Sequence, residues 1–271
     1  MQLSRLETLA IELIKEHRDQ VKFMRSGTKS HDPLEFLKES DRGLSLSEVF
    51  RRMEEPGSWV ALYNVQTDPE YRAMIWDAIE SIGPQLDAGD PGAFEADGFI
   101  FISSAPSATP FHIDRENNLF LQIHGRKRMT VWQPDDREVV DETIIEEKIG
   151  LGTSSRARYQ DSILKRAAVN QEFRAGEGVY MPSTSAHMTN TESLPVGADD
   201  TYSVSIGIVY YTTATRRSAY VYALNGYLRR MGLSPKPPYE SGAIDALKYP
   251  VGRALVLAKQ ALVNFQLPPG M

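Results

Sequence analysis

His112 and Asp114 stand two residues apart in the segment TPFHIDRENNLFLQIHGRKRMTVW, residues 109–132. On an extended chain, side chains two apart share a face, so this imidazole and carboxylate can point at one ion. A metal held this way needs a third ligand. The chain has five histidines, His17, His31, His112, His124 and His187, and no cysteine, so any metal must be held by nitrogen and oxygen. His17 sits among Lys15, Glu16, Arg18 and Asp19 and is expected in solvent, and His124 reads as a satisfied histidine near a strand edge. His187 follows a Gly-Glu-Gly turn and a strand ending in Pro182, in GEGVYMPSTSAHMTN, which can place it at the rim of a sheet. Two imidazoles and a carboxylate occupy one face of a metal and leave the rest open, the arrangement expected of non-haem Fe(II) oxygenases. A lone His-x-Asp pair also describes two polar residues on a surface strand, so by itself it leaves both readings standing.

Lys127 bears on that choice. In a strand it shares a face with Met129 and Val131, while Arg126, Arg128 and Thr130 share the other. Basic stems lying along the sheet account for Arg126 and Arg128. An inward Lys127 needs an anion to meet its ammonium, because an unpaired buried charge is prohibitive; a dicarboxylate cosubstrate would supply one. On the last strand, Ser203, Ser205 and Gly207 form a small, mildly polar face against Val204, Ile206 and Ile208. That face either leaves room for a ligand or faces water.

The elements that must position these groups follow from the periodicity. Leu3, Leu6, Leu9, Leu13, Ile14 and Val21 recur at helical spacing, predicting a helix over 2–22. Ser45 three residues before Glu48 predicts a reciprocal helix start, and TDPEYRAMIWDAIESIG predicts a helix capped by Asp68, with Pro69 in its first turn and Gly83 as its stop. Between them SWVALYNV (58–65) reads as a strand. From about residue 98 the period changes to two, with GFIFISS, NLFLQIHG, RMTVWQP, GEGVYMPS and TYSVSIGIVYYT as strands. Residues 135–170 interrupt them with a charged, partly helical insertion. After residue 213 the chain turns helical again, in RRSAYVYALNGYLRRMG and GRALVLAKQALVNF, joined by the proline-rich LSPKPPY.

The expectation is one domain over 1–271: N-terminal helices over 1–55, a sheet core over 56–212 and C-terminal helices over 213–271. A content of 41% hydrophobic residues provides for a core, and a net charge of −6 disfavours nucleic acid and anionic membrane faces as partners. With no apolar run long enough to span a bilayer, the reading is a cytoplasmic protein.

Taken together, TPFHIDRENNLFLQIHGRKRMTVWQP and GEGVYMPSTSAH resemble the JmjC, or cupin-like, branch of the 2-oxoglutarate and Fe(II)-dependent dioxygenases, near the asparaginyl-hydroxylase and JmjC-hydroxylase group. The similarity covers roughly residues 56–212. It implies a mainly β fold with flanking helices: a double-stranded β-helix, or jelly roll, wrapped by N- and C-terminal α-helices. It implies His112, Asp114 and His187 as iron ligands and Lys127 as partner of the distal carboxylate of 2-oxoglutarate, with Thr109 bonding that same carboxylate. Asn118 matches a residue near the cosubstrate's chelating end and Tyr63 a tyrosine that closes over it; Ser205, on the small face of the last strand, joins the cofactor-binding set.

The implied reaction hydroxylates a protein side chain, peptide or small metabolite with O2, releasing succinate and CO2, or demethylates it where the carbon bears nitrogen. Two rivals keep the fold: a Zn or Mn cupin enzyme without cosubstrate, and a non-catalytic binding module. The C-terminal helices resemble in placement those that pair subunits in related hydroxylases, so a homodimer is expected. The chain departs from the family pattern in two places. Ser183, Thr184, Ser185 and Ala186 stand where an aromatic is frequent, implying a smaller or wetter pocket wall, and Tyr210 and Tyr211 stand where paired tryptophans are frequent.

Overall fold

A computed structural model describes residues 2–16, 21–24, 45–86, 92–152, 157–191 and 201–266. The first helix, α1 (Leu3–Glu16), turns Leu6, Leu9, Ala10 and Leu13 into the core, as its spacing predicts. It does not reach Val21. Residues 17–20, with His17, lie outside the described residues, as does His31, and Val21–Met24 form strand β1, antiparallel to β2 (Trp59–Leu62) with Val21 opposite Leu62. Val21 continues the helical spacing on paper, but a β-branched residue opposite a strand edge gains a ladder of backbone bonds instead. Between them α2 (Leu46–Arg51) starts at Ser45, whose hydroxyl accepts from the Glu48 N–H at 3.3 Å. The Glu48 carboxylate accepts from that hydroxyl rather than from the Ser45 amide, so the start is capped differently from the predicted exchange.

Helix α3 (Pro69–Leu86) opens with the Asp68 carboxylate accepting from the Glu70 N–H at 2.8 Å. It runs past Gly83, because that glycine does not take the left-handed backbone that ends helices. The strands that follow are β3 (Phe94–Ser104), β4 (Ser107–His112), β5 (Asn117–His124) and β6 (Arg126–Val131). Gly125 makes the β5–β6 turn at φ 64°, and a Cβ there would lie 2.3 Å from the Tyr202 carbonyl oxygen, so only glycine fits. After the insertion come β7 (Val169–Arg174), β8 (Gly178–Met181), β9 (His187–Thr191) and β10 (Tyr202–Tyr211).

Among the described residues all strand pairings are antiparallel, in two sheets ordered β1-β2-β3-β10-β5-β8 and β4-β9-β6-β7. This is the jelly-roll architecture the sequence implies. The larger sheet packs Val60, Leu62, Ile100, Ile102 and Ile206 against Leu6, Leu9, Phe50 and Ile75 of the N-terminal helices.

The insertion is a structured cover. A short helix, α4 (Glu142–Ile145), continues as a wider turn to Gly150, and a tight helical turn spans Asp161–Arg166. Ile145, Ile149 and Ile163 pack with Phe111, Ile113, Trp132 and Met188 of the smaller sheet. Tyr222, from the next helix, α5 (Thr213–Arg230), joins the same cluster. Glu146, 1% exposed, accepts from Arg229 of that helix at 2.6 and 2.9 Å, tying the cover to the C-terminal helices. The last helix, α6 (Gly242–Gln266), begins ten residues before the predicted segment and carries Pro250 inside it. No helix among the described residues is long and apolar enough to cross a membrane.

Candidate active site

Between the sheets lies a cavity of about 320 Å³ lined by all eight residues named from the sequence: Tyr63, Thr109, His112, Asp114, Asn118, Lys127, His187 and Ser205. Strict alternation would put Thr109 and His112, three apart, on opposite faces. β4 and β9 resolve this, pairing Thr109 with Thr189 and His112 with His187, so three steps on β4 match two on β9. The extra residue is a bulge that turns both side chains inward. The strand ends at His112. Ile113 is buried on the outer side of the smaller sheet, and Asp114, just past the strand, turns back to the cavity while its carbonyl accepts from the Thr184 N–H at 3.0 Å. His187 opens β9 opposite both His112 and Val131.

The two imidazole rings lie 4.1 Å apart, centre to centre. Nδ1 of His112 is 2.6 Å from the Pro110 carbonyl and Nδ1 of His187 is 3.1 Å from the Ser185 carbonyl. A carbonyl only accepts, so each Nδ1 carries a proton, and in the neutral ring Nε2 is the nitrogen left with a lone pair. Nε2 of His112 lies 3.8 Å from Asp114 Oδ1 and Nε2 of His187 lies 3.5 Å from Oδ2; one ligand atom from each residue falls within 4.8 Å of the others. Burial drives the His187 pKa down to about 4, and His112 pushes the same way. Burial pushes Asp114 upward, but His112, His187, the hydrogen bond from Asn118 and the Lys148 charge together hold the carboxyl below the usual carboxylate range. Two imidazoles and a carboxylate suit a divalent first-row metal, and the donor set fits Fe(II).

Deeper in the cavity, Lys127 is 3% exposed and donates from Nζ to Ser205 Oγ at 3.1 Å, across the gap between the sheets. No carboxylate among the described residues meets it, and burial pushes its pKa down to about 7. Ser205 and Gly207 line the cavity, while Ser203 is 1% exposed and accepts from Gln122 at 2.9 Å, so the small face of β10 is interior rather than wet. Burial, with the Asp114 charge adding, pushes the Tyr63 hydroxyl up to about 12. Asn118 donates from Nδ2 to Asp114 Oδ2 at 3.2 Å.

The small residues 183–186 do not form a cavity wall, contrary to the sequence reading. Ser183 instead bonds the Arg115 carbonyl at 2.7 Å and the Asn117 side chain at 3.0 Å, pinning the chain beside Asp114. Tyr210 is buried in the core, and Tyr211 donates to Glu116 at 2.6 Å. His124 stacks on Tyr202 with ring centres 4.5 Å apart, away from the cavity. Asp97, Phe99, Phe101 and Glu116 also line the cavity and escaped the sequence reading. Asp97, Phe99 and Phe101 alternate along β3 opposite Val209, Gly207 and Ser205. The alternation was visible in the sequence; the strand they face was not.

With these two sheets and this inward set, the chain belongs to the cupin-like domain family, which residues 15–215 match. It is similar to HSPB1-associated protein 1 of Bos taurus, 29% identical over 144 residues, covering 44% of this chain and 28% of that protein. It is also similar to E. coli ycfD, with 12% identity and a TM-score of 0.49 over 99% of this chain and 61% of that one. A structure of the E. coli ribosomal oxygenase YcfD in complex with cobalt and 2-oxoglutarate is similar at 14% identity and a TM-score of 0.44, over 95% of this chain and 59% of that one. The chain spans less than two thirds of each relative's length.

Proposed function

We propose that this protein is an Fe(II)- and 2-oxoglutarate-dependent dioxygenase that hydroxylates a protein side chain, peptide or small metabolite. One observation carries the reading: His112, Asp114 and His187 converge in the same cavity as a buried lysine that meets no carboxylate among the described residues. With a ferrous ion and 2-oxoglutarate bound, such a centre oxidises a substrate C–H bond with O2 and releases succinate and CO2. Pro110 and Ser185 hold the imidazoles in the tautomer that presents Nε2, and Asn118 steadies Asp114. Lys127, with Ser205 and Thr109, would hold the far carboxylate of the diacid, and Tyr63, lining the same cavity, would close over it. Phe99, Phe101, Phe120 and Met181 line the walls and exclude water.

A cupin centre that works without a diacid has no use for Lys127. Anaerobic titration with Fe(II) and then 2-oxoglutarate is expected to produce a metal-to-ligand charge-transfer band in the full chain, absent from His112→Ala and Asp114→Ala. No band in the parent chain, or full substrate-dependent succinate formation in both variants, would falsify the assignment. The reading extends to a homodimer paired through α5 and α6; Leu247, Val251 and Leu255, at four-residue spacing on α6, are exposed on the isolated chain. A monomer mass by light scattering would contradict that pairing.

A further inference from the structure

A second cavity, of about 310 Å³, lies where the cover meets the C-terminal helices, and no described residue lines both it and the cavity between the sheets. Helix α6 lies close on α5 there because position 252 is glycine: a Cβ would stand 2.0 Å from the Tyr220 carbonyl oxygen. Val256, Lys259 and Gln260 recur after Gly252 at helical spacing, so they share its face and line the cavity. Arg216, Ala219 and Tyr220 line it from α5, and Ile149 and Leu151 from the cover.

Arg115, Arg216 and Lys259 put three cations on this lining, and among the described residues no carboxylate joins them. Arg216 is engaged, paired with Glu95 and stacked on Tyr211 at 4.2 Å. The other two are not paired with a carboxylate among the described residues. The Arg115 guanidinium donates from Nε and Nη2 to the Lys148 carbonyl at 3.3 and 3.2 Å, and Lys259 donates from Nζ to the Leu151 carbonyl at 2.8 Å. Those carbonyls close a short helical stretch, whose end carries at most about half a unit of negative charge, against two whole positive ones. Both groups also have more N–H donors than these bonds use. Gly152, at φ 70°, leaves the guanidinium uncovered, since a Cβ there would lie 3.1 Å from Arg115 Nη2. Most of the remaining lining is apolar or aromatic.

We propose that this cavity is a second ligand site, which takes a small organic anion: one carboxylate or phosphate carried on an apolar body. The planar fork of Arg115 and the ammonium of Lys259 receive the anion, as both groups do for carboxylates and phosphates generally. Ile149, Leu151, Ala219 and Val256 take the body, which a bare inorganic ion lacks. A volume of about 310 Å³ is at the small end for ligand cavities, enough for one ring with its acid. The chain as a whole carries a net charge of −6, so its overall field does not draw anions and the attraction is local to these two groups. The site stands independently of the oxygenase reading. Arg115 follows Asp114 in the chain, and Tyr211 donates to Glu116 on the wall of the other cavity, which puts the two sites back to back across residues 114–116.

The test titrates the full chain by calorimetry with phenyl phosphate, benzoate, benzyl alcohol and inorganic phosphate. The better of the two aryl anions is expected to bind at least about tenfold tighter than benzyl alcohol or inorganic phosphate. Lys259→Met and Arg115→Met are each expected to weaken it about tenfold. Ala219→Phe, which fills the cavity and leaves both charges, should abolish it, and Lys127→Met, in the other cavity, should leave it intact. Melting temperatures report that the variants are folded; Lys259 is exposed on α6, so its variant decides the question if Arg115→Met unfolds. Phenyl phosphate binding tighter than benzoate assigns a phosphate, and the reverse a carboxylate. No binding of either aryl anion at millimolar concentration, equal binding of benzyl alcohol or inorganic phosphate, or an affinity kept in Lys259→Met or Ala219→Phe overturns the proposal. An affinity lost in Lys127→Met overturns it too, by placing the anion between the sheets.

Discussion

Lys127→Met separates the cost of burying a charge from the use the protein makes of it. The ammonium is 3% exposed with one neutral partner, Ser205 Oγ, and burial takes its pKa from the ordinary 10.5 to about 7. That difference corresponds to about 5 kcal/mol against the charged folded form. Because the folded pKa lies below the unfolded one, the penalty is full below about pH 7, shrinks as the pH rises, and vanishes near 10.5. Methionine matches the stem and removes the charge, at the loss of about 1 kcal/mol for the Ser205 bond. Without ligands, the variant is expected to gain about 3 to 4 kcal/mol at about pH 6, or roughly 6 to 12 °C in Tm. By about pH 9.5 almost all of that gain should be gone. The same variant should bind 2-oxoglutarate roughly 30- to 1000-fold more weakly, since the far carboxylate loses its buried cation. Melting curves at both pH values, with and without the diacid, measure all of this. A variant that melts at or below the parent near pH 6, or gains equally at both pH values, would show that Lys127 is not a buried charge.

Other expectations concern the scaffold. Glu146→Ala removes the bidentate partner of Arg229 and leaves it only the more distant charges of Glu142 and Asp141, and urea unfolding should show a loss of about 2 to 3 kcal/mol. An unchanged midpoint would mean that the cover is not tied to α5 through this pair. Gly125→Ala combines a φ of 64° with a contact of 2.3 Å to the Tyr202 carbonyl, and should cost roughly 3 kcal/mol. Gly176→Ala, at φ 91° with nothing near its Cβ, should cost only about 1 kcal/mol; similar losses at the two positions would refute the steric part of the reasoning.

The sequence by itself determined what depends on neighbours along the chain. Alternation put Lys127 with Met129 and Val131 on the inward face, because the pleat repeats every two residues whatever the partner strand, while Asp114 joined His112 at the cavity through a turn just past the strand end. The inward amine could be read as needing an anion, since desolvation of a charge follows from burial alone. Tertiary structure decided what depends on pairing. Val21 carried the spacing of a helix and became a strand because β2 offered it a ladder. Thr109 came to face His112 only through a one-residue bulge against β9, which no local pattern signals. Asp97 and Glu116 reached the cavity because β3 lies beside β10 and the chain after Asp114 turns under Tyr211. Side-chain direction is set by backbone geometry one residue at a time, whereas the register between distant strands is chosen by the packing of the whole core; the candidate set His112, Asp114 and His187 was therefore legible in the sequence, and the approach of Asp97 and Glu116 to the same cavity was not.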